Sequence, residues 1–231
     1  MNLSSITKLF RNKTYNYLNI IGLAVSFGVF IIVSMYIYNE FQGDKFHENY
    51  ENIVRLNRGD KVGTPIPLNN YFKDQFPEIE KFCRLNRMYD PIIKNEDRFQ
   101  KLKTGYFADK SAFDIFTIDI LNGNIDNDFA TPFSISISEN LSQKLFGSAN
   151  PIGKVVKFNS EFNYTVKAVF KNLPSNSHLQ IDAIASIESM EFMPEMYKTP
   201  FESFNRWSCM NYLLLAPNSS VTQVNEKLND L

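Results

Sequence analysis

The pattern of apolar and polar positions falls into three regimes. From Thr14 to Asn39 no side chain is charged, and Leu18 to Tyr38 is almost wholly apolar. At 1.5 Å of rise per residue, about 20 such residues cross a hydrocarbon core roughly 30 Å thick. The run predicts a transmembrane helix over 17–39. Before it, residues 1–16 form a short lead-in with Leu3, Ile6, Leu9 and Phe10 on one side and Lys8, Arg11 and Lys13 among them. That pattern suits an amphipathic helix lying along a membrane surface. After it, apolar residues recur with periods of two or near four, which predicts a folded outer domain over 40–231.

Within that domain, Phe41, Phe46, Tyr50, Ile53 and Leu56 among charges predict a partly helical stalk leading into a first strand. Gly63 to Pro67 predicts a turn, and Leu68 to Phe76 a helix opened by Pro67 and ended by Pro77. Arg84–Ile93 and Phe99–Thr104 flank Asn95-Glu96-Asp97, a hairpin signal. Phe113 to Phe116 reads as a short aromatic helix or turn. Ser134–Ser138 reads as a strand running into a helix, with Ser136-x-x-Glu139 as a capping box, Leu141 and Leu145 four apart and Gly147 as the stop. Val155–Phe158 and Tyr164–Phe170 predict a second hairpin about Asn159-Ser160, with the period of two of a half-exposed sheet. His178–Ile187 and Tyr212–Leu215 read as further strands. Ser220-x-x-Gln223 opens a final helix with Val221, Val224, Leu228 and Leu231 on its apolar face. Its abrupt end there predicts a domain interrupted at its C-terminus. The fold class expected is α+β: one transmembrane helix, then a mixed domain.

Charge orients the span. Lys8, Arg11 and Lys13 precede it with no acid, whereas Glu40, Asp44, Glu48 and Glu51 follow. Positive flanks stay inside, so residues 1–16 are expected in the cytoplasm and the rest outside. A cleaved signal peptide is the competing reading. Its apolar core runs about 7–15 residues and ends in small residues, whereas this run is longer and leads into Tyr36-Ile37-Tyr38-Asn39-Glu40. An uncleaved anchor is the better account. Inside the span, Gly22/Ser26 and Ala24/Gly28 are two small-xxx-small spacings, which let helix backbones approach closely in lipid. Gly22, Ala24, Ser26 and Gly28 are therefore candidate helix-packing residues, against the plain reading that glycine is common in such helices.

Composition adds exclusions. The net charge of −1 gives no reason to expect nucleic acid, and 44% hydrophobic residues suffice for a real core. Cys83 and Cys209 fit neither a disulfide framework nor a zinc site. They could pair in an oxidising exterior, though two buried free thiols is the favoured reading. No P-loop, G-x-S-x-G or H-E-x-x-H pattern occurs. His47 and His178 lie far apart without neighbouring ligands, so both are expected to be structural, His178 in the turn after Pro174. No catalytic, cofactor-binding or metal constellation is visible. The chain does not read as an enzyme.

Several stretches together resemble the MacB/FtsX-type ABC transporter permeases and their MacB-like periplasmic core domain. They begin with Phe10-Arg11-Asn12-Lys13, Asn19-Ile20-Ile21-Gly22-Leu23 and Asp44-Lys45-Phe46-His47-Glu48-Asn49 followed by Ile53-Val54-Arg55-Leu56. Tyr106-Phe107-Ala108-Asp109 with Phe113-Asp114-Ile115-Phe116 continues the series. So do Leu145-Phe146-Gly147, Asn150-Pro151-Ile152-Gly153-Lys154 and Leu173-Pro174-Ser175-Asn176-Ser177-His178. Each motif is short, but their order runs through nearly the whole chain. Gln42-Gly43 departs from the family's hydrophobic and aromatic pair before the aspartate.

The resemblance implies a permease subunit in the inner membrane, with the periplasmic domain set between its first and second spans. It implies an ABC ATPase subunit in the cytoplasm, a second permease copy, and a periplasmic adaptor or substrate as partners. ATP-driven motion would pass through the membrane to the outer domain, for export or for regulation of a partner. A free-standing single-span binding or sensor protein is the alternative.

Overall fold

The computed structural model describes residues 13–41, 43–68, 72, 75–126, 128–194, 204–205 and 208–229. The expected lead-in helix therefore lies outside the described residues, Lys13 to Asn16 apart. The chain divides into two compact units, Met1–Asp44 and Lys45–Leu231. In the first, helix α1 runs from Lys13 to Phe41. Its segment Thr14–Phe41 has a mean hydropathy of 2.5 over its most apolar window, none of it buried by protein. By length and composition this helix is long and apolar enough to cross a membrane.

The second unit is built on a mixed sheet. Its elements are β1 (Ile53–Arg55), β2 (Ile79–Arg87), β3 (Ile92–Asn95), β4 (Arg98–Lys101) and β5 (Gly105–Ala108), then helix α2 (Ser111–Ile115) and β6 (Ile120–Gly123). There follow β7 (Ser134–Ser138), α3 (Glu139–Phe146), β8 (Val155–Phe158), β9 (Phe162–Phe170), β10 (Ala183–Ser186), β11 (Cys209–Leu215) and α4 (Val221–Asn229). Short 3-10 turns stand at Tyr50–Asn52 and Ile187–Phe192. The spatial order is β1, β11, β2, β5, β10, β7, β9, β8, β3, β4. β5 runs parallel to β10 and β7 to β9, and the other pairs are antiparallel. β8 lines the first half of one edge of β9 and β6 the second half. Gly123 permits that last approach, since a Cβ there would stand 2.2 Å from the Lys167 carbonyl.

Both faces of the central strands are covered. One face carries Phe107, Ile135, Ile137 and Ala185, packed with Leu141 and Leu145 of α3 and with Phe158 and Tyr164. The other carries Leu85, Tyr106, Ala108 and Ile184 under the aromatic cluster Phe113, Phe116, Phe129 and Phe170. A third cluster joins Leu213 and Leu215 to Phe72, Phe76 and Val224. Phe72 and Phe76 sit edge to face at 5.1 Å, joined by a Phe76 N–H to Phe72 carbonyl bond of 3.1 Å. That one bond has helical spacing, and much of the expected helix 68–76 lies outside the described residues.

The elements differ from expectation at four places. Arg84–Ile93 is not one strand: β2 ends at Arg87 and β3 starts at Ile92, because Asp90 takes a φ of 44° and Pro91 has no N–H to give a ladder. The stretch His178–Ile187 is strand only over Ala183–Ser186. Ahead of it the Gln180 amide donates to the Pro174 and Ser177 carbonyls at 2.8 and 3.0 Å, a local alternative to the ladder. On the last helix, Val224 is buried and Leu228 packs beside it, but Val221 is exposed and Leu231 lies outside the described residues. The capping of α3 also shifts by two residues. Ser138, not Ser136, is the N-cap, its hydroxyl accepting from the Leu141 N–H at 3.3 Å. Gly147 ends the helix at φ 63°, as its position predicts.

Ser136 instead points into the core from β7, where its hydroxyl is buried without a hydrogen-bond partner. A buried unsatisfied hydroxyl costs about 1–3 kcal/mol, and losing an N-cap costs about 1 kcal/mol. The two serines should therefore respond with opposite signs. Ser138→Ala is expected to lower stability by about 1 kcal/mol, and Ser136→Ala to leave it unchanged or raise it, read by chemical denaturation of the outer unit.

Candidate functional site

Several buried polar residues of the outer unit gather in a seam on one face of the sheet, between the first and third apolar clusters. Arg84 on β2 stands directly across from Asn211 on β11, and Asn86 across from Cys209. Arg84 forks onto Asp109: Nε donates to Oδ2 at 2.9 Å and one terminal nitrogen to Oδ1 at 2.6 Å, while the Arg84 backbone N–H reaches Oδ2 at 2.7 Å. The same terminal nitrogen meets Glu188 at 3.2 Å. Arg84 and Asp109 expose only 11% and 17% of their side chains. Burial opposes the charge on Arg84, yet the hydrogen bond and charge of Asp109, with Glu188 behind it, hold the guanidinium above its ordinary pKa. Alongside, the Asn211 amide donates to the Thr64 hydroxyl at 3.0 Å and the Pro65 carbonyl at 2.8 Å. Asn86 donates to Ser208 at 3.3 Å.

This arrangement binds strands to loops rather than performing chemistry. Every carboxylate oxygen of Asp109 is occupied, and the Arg84 fork is committed. Removing one partner of such a buried pair typically costs about 3–5 kcal/mol, because the other charge is stranded. Among the described residues no group of three or more His, Cys, Asp or Glu side chains is placed to hold a metal. Sequence reasoning missed the seam, although one signal was there: Arg84 sits between Cys83 and Leu85 in an otherwise apolar strand centre.

The other candidates resolve one by one. His178 Nε2 lies 3.3 Å from the Tyr212 hydroxyl, across the loop after Pro174. His47 is buried, its ring 3.9 Å from that of Phe46 and 5.7 Å from that of Phe116, tying the stalk to the second cluster. The neighbouring Glu48 N–H donates to Thr117 at 3.0 Å. Cys83 pairs in register with Tyr212, and Cys209 with Asn86, three positions along. Successive residues of a strand face opposite ways, so the two thiols point to opposite faces and cannot bridge without rebuilding the ladder. Burial pushes the Cys83 thiol well above its usual pKa and Cys209 up to about 12.

The thiolate is the reactive form. Neither cysteine is expected to react with maleimide at pH 8 in the folded protein, and both should label at once in denaturant. Mass spectrometry reads the count. Labelling of the native state would contradict the packing of β2 against β11.

Gly22, Ala24, Ser26 and Gly28 all lie on α1. The Ser26 hydroxyl donates back to the Gly22 carbonyl at 2.8 Å, so its polar group needs no partner from outside the helix. A Cβ built at Gly22 or Gly28 meets nothing within 4 Å. At about 100° per residue the pair Gly22/Ser26 and the pair Ala24/Gly28 stand about 160° apart around the axis. The helix offers two small-residue tracks on opposite sides.

A lipid-length apolar helix followed by a two-faced mixed sheet defines the class: a membrane-anchored α+β module. The chain belongs to the MacB-like periplasmic core domain family, whose sequence profile matches residues 17–231. No curated protein matches it in sequence. Its fold is similar to that of a domain of a protein described as a permease from Porphyromonas gingivalis, with a TM-score of 0.65 at 20% identity over 80% of this chain and 81% of that one. It is also similar to the periplasmic region of MacB from Actinobacillus actinomycetemcomitans, with a TM-score of 0.56 at 16% identity, covering 80% and 86%. The extracellular domain of the ABC-type transporter YknZ from Gram-positive bacteria gives 0.52 at 18% identity, covering 75% and 86%. The resemblance read from the short motifs is borne out.

Proposed function

We propose that this chain is part of a permease subunit of a MacB/FtsX-like ABC transporter, anchored by α1 in the inner membrane with its outer unit in the periplasm. The observation that carries the reading is the extent of the family match, which takes in α1 and the outer unit as one block. The flanking charges supply the orientation, bases before the span and acids after it.

The mechanism follows from what the chain's residues can and cannot do. It has no phosphate-binding loop, so the work of ATP hydrolysis comes from a partner ATPase in the cytoplasm. The outer unit responds as a body, because the Arg84–Asp109–Glu188 seam and the two-sided core leave its central strands no soft joint. A displacement of the membrane helices is then delivered to the periplasm as a displacement of the whole sheet, acting on a substrate, an adaptor or a regulated partner. A second permease copy completes the assembly, and the two tracks of α1 let it pack against helices on both sides.

Orientation is tested by fusing alkaline phosphatase after Thr104, in the loop between β4 and β5. An active fusion is expected. An inactive one, with a cytoplasmic reporter active at the same point, reverses the topology.

Helix contacts through small residues are worth on the order of 1 kcal/mol each. Gly22→Leu and Gly28→Leu each load one track and should each weaken recovery of the ATPase and of a second tagged copy, the double variant most. The melting temperature of the outer unit should not move. Undiminished recovery of both partners with normal transport would show that the small residues are merely tolerated in the span.

A further inference from the structure

Beside β4 and the first turn of α3, closed by the 172–182 loop, lies a cavity of about 240 Å³. Its floor is apolar: Leu102, Leu141 and Ile181, with 4%, 2% and 7% of their surfaces exposed. Its walls carry both signs of charge. Lys103 and Lys144 line it, and among the described residues neither ammonium has a carboxylate partner. Asp182 lines it too. Its Oδ2 accepts the backbone N–H groups of Lys103 and Thr104 at 2.7 and 3.2 Å, which fixes the carboxylate in place and leaves Oδ1 uncommitted. Lys101, at the rim, is already paired with Asp90.

We propose that this cavity binds a small zwitterion, a free amino acid or a dipeptide. A bare anion would be drawn by Lys103 and Lys144 but repelled by Asp182, and a bare cation would meet two lysines. A molecule carrying a carboxylate and an ammonium on one short backbone satisfies both. The size agrees, since pockets for drug-sized ligands run from about 300 to 1,000 Å³ and this one is smaller. The inference stands on the outer unit alone and is independent of the transport reading.

The experiment is calorimetric titration of the full chain in detergent with L-leucine and glycyl-leucine. N-acetyl-leucine lacks the ammonium, and leucinamide lacks the carboxylate. Both zwitterions are expected to bind, and each analogue at least tenfold more weakly. Lys103→Met with Lys144→Met should abolish the preference for leucine over leucinamide. Asp182→Asn, which keeps an acceptor for the two backbone N–H groups, should abolish the preference for leucine over N-acetyl-leucine. Each variant's melting curve confirms that it is folded. No binding of either zwitterion at millimolar concentration to the folded wild-type chain overturns the proposal. So does equal binding of leucine and both analogues, and so does a charge preference that survives these substitutions.

Discussion

The structure depends on one constraint: the strands at the centre of the sheet have no face toward water. All four residues of β5, all five of β7 and all four of β10 are buried. A strand so placed must find apolar partners on both sides and a place for every polar atom it carries. α3 supplies one cover, and α2 with the aromatic cluster Phe113, Phe116, Phe129 and Phe170 supplies the other. Phe107, Phe146, Phe158 and Tyr164 lie in the first of these layers, and Tyr106 and Tyr212 join the four phenylalanines of the second. Edge-to-face pairs within them, Phe113 with Phe129 at 5.0 Å and Phe116 with Tyr212 at 4.9 Å, add directional contact to area burial.

The same constraint explains the polar seam. Where β2 and β11 pass between the first and third clusters, their side chains neither reach water freely nor meet an apolar partner. Arg84 and Asn211 solve this by binding what lies above them, Asp109 and Glu188 on one side and the Thr64–Pro65 turn on the other. Polar groups buried in this way are costly unless fully paired, and here they join segments distant in sequence: residue 64, strand β2, residue 109, the 3-10 turn after β10, and β11. A unit laced across so many segments resists internal shear. That property suits the role proposed for the outer unit, receiving a displacement from the membrane and passing it on.

The candidate sites were unequally legible. The membrane helix could be read directly, because lipid length and absence of charge are properties of a continuous stretch. Its two small-residue spacings were equally plain, but their division between opposite sides of α1 emerges only when the helix is turned through its 3.6-residue period. The family motifs were legible for the same local reason. The mixed-charge cavity was not, since Lys103, Lys144 and Asp182 come from a loop, a helix and the approach to another strand. The seam was legible only as one oddly placed arginine.

Local pattern thus determined the span, the β8–β9 hairpin, α3 with its Gly147 stop and the α+β class, because each rests on interactions between residues close in the chain. Tertiary structure decided the rest. The sequence Ser134-Ile135-Ser136-Ile137-Ser138 has the period of a strand with one wet face, yet both faces are buried. Its serines go three ways: Ser134 donates to the Asp128 carbonyl at 3.0 Å, Ser136 is left unpaired and Ser138 caps α3. Nothing in that pentapeptide says that a second layer will cover its polar side. Strand order, the opposite facing of Cys83 and Cys209, and the meeting of Arg84 with Asp109 and Glu188 depend likewise on non-local pairing. A single chain records its local preferences residue by residue, but its long-range partners exist only once the sheet has closed.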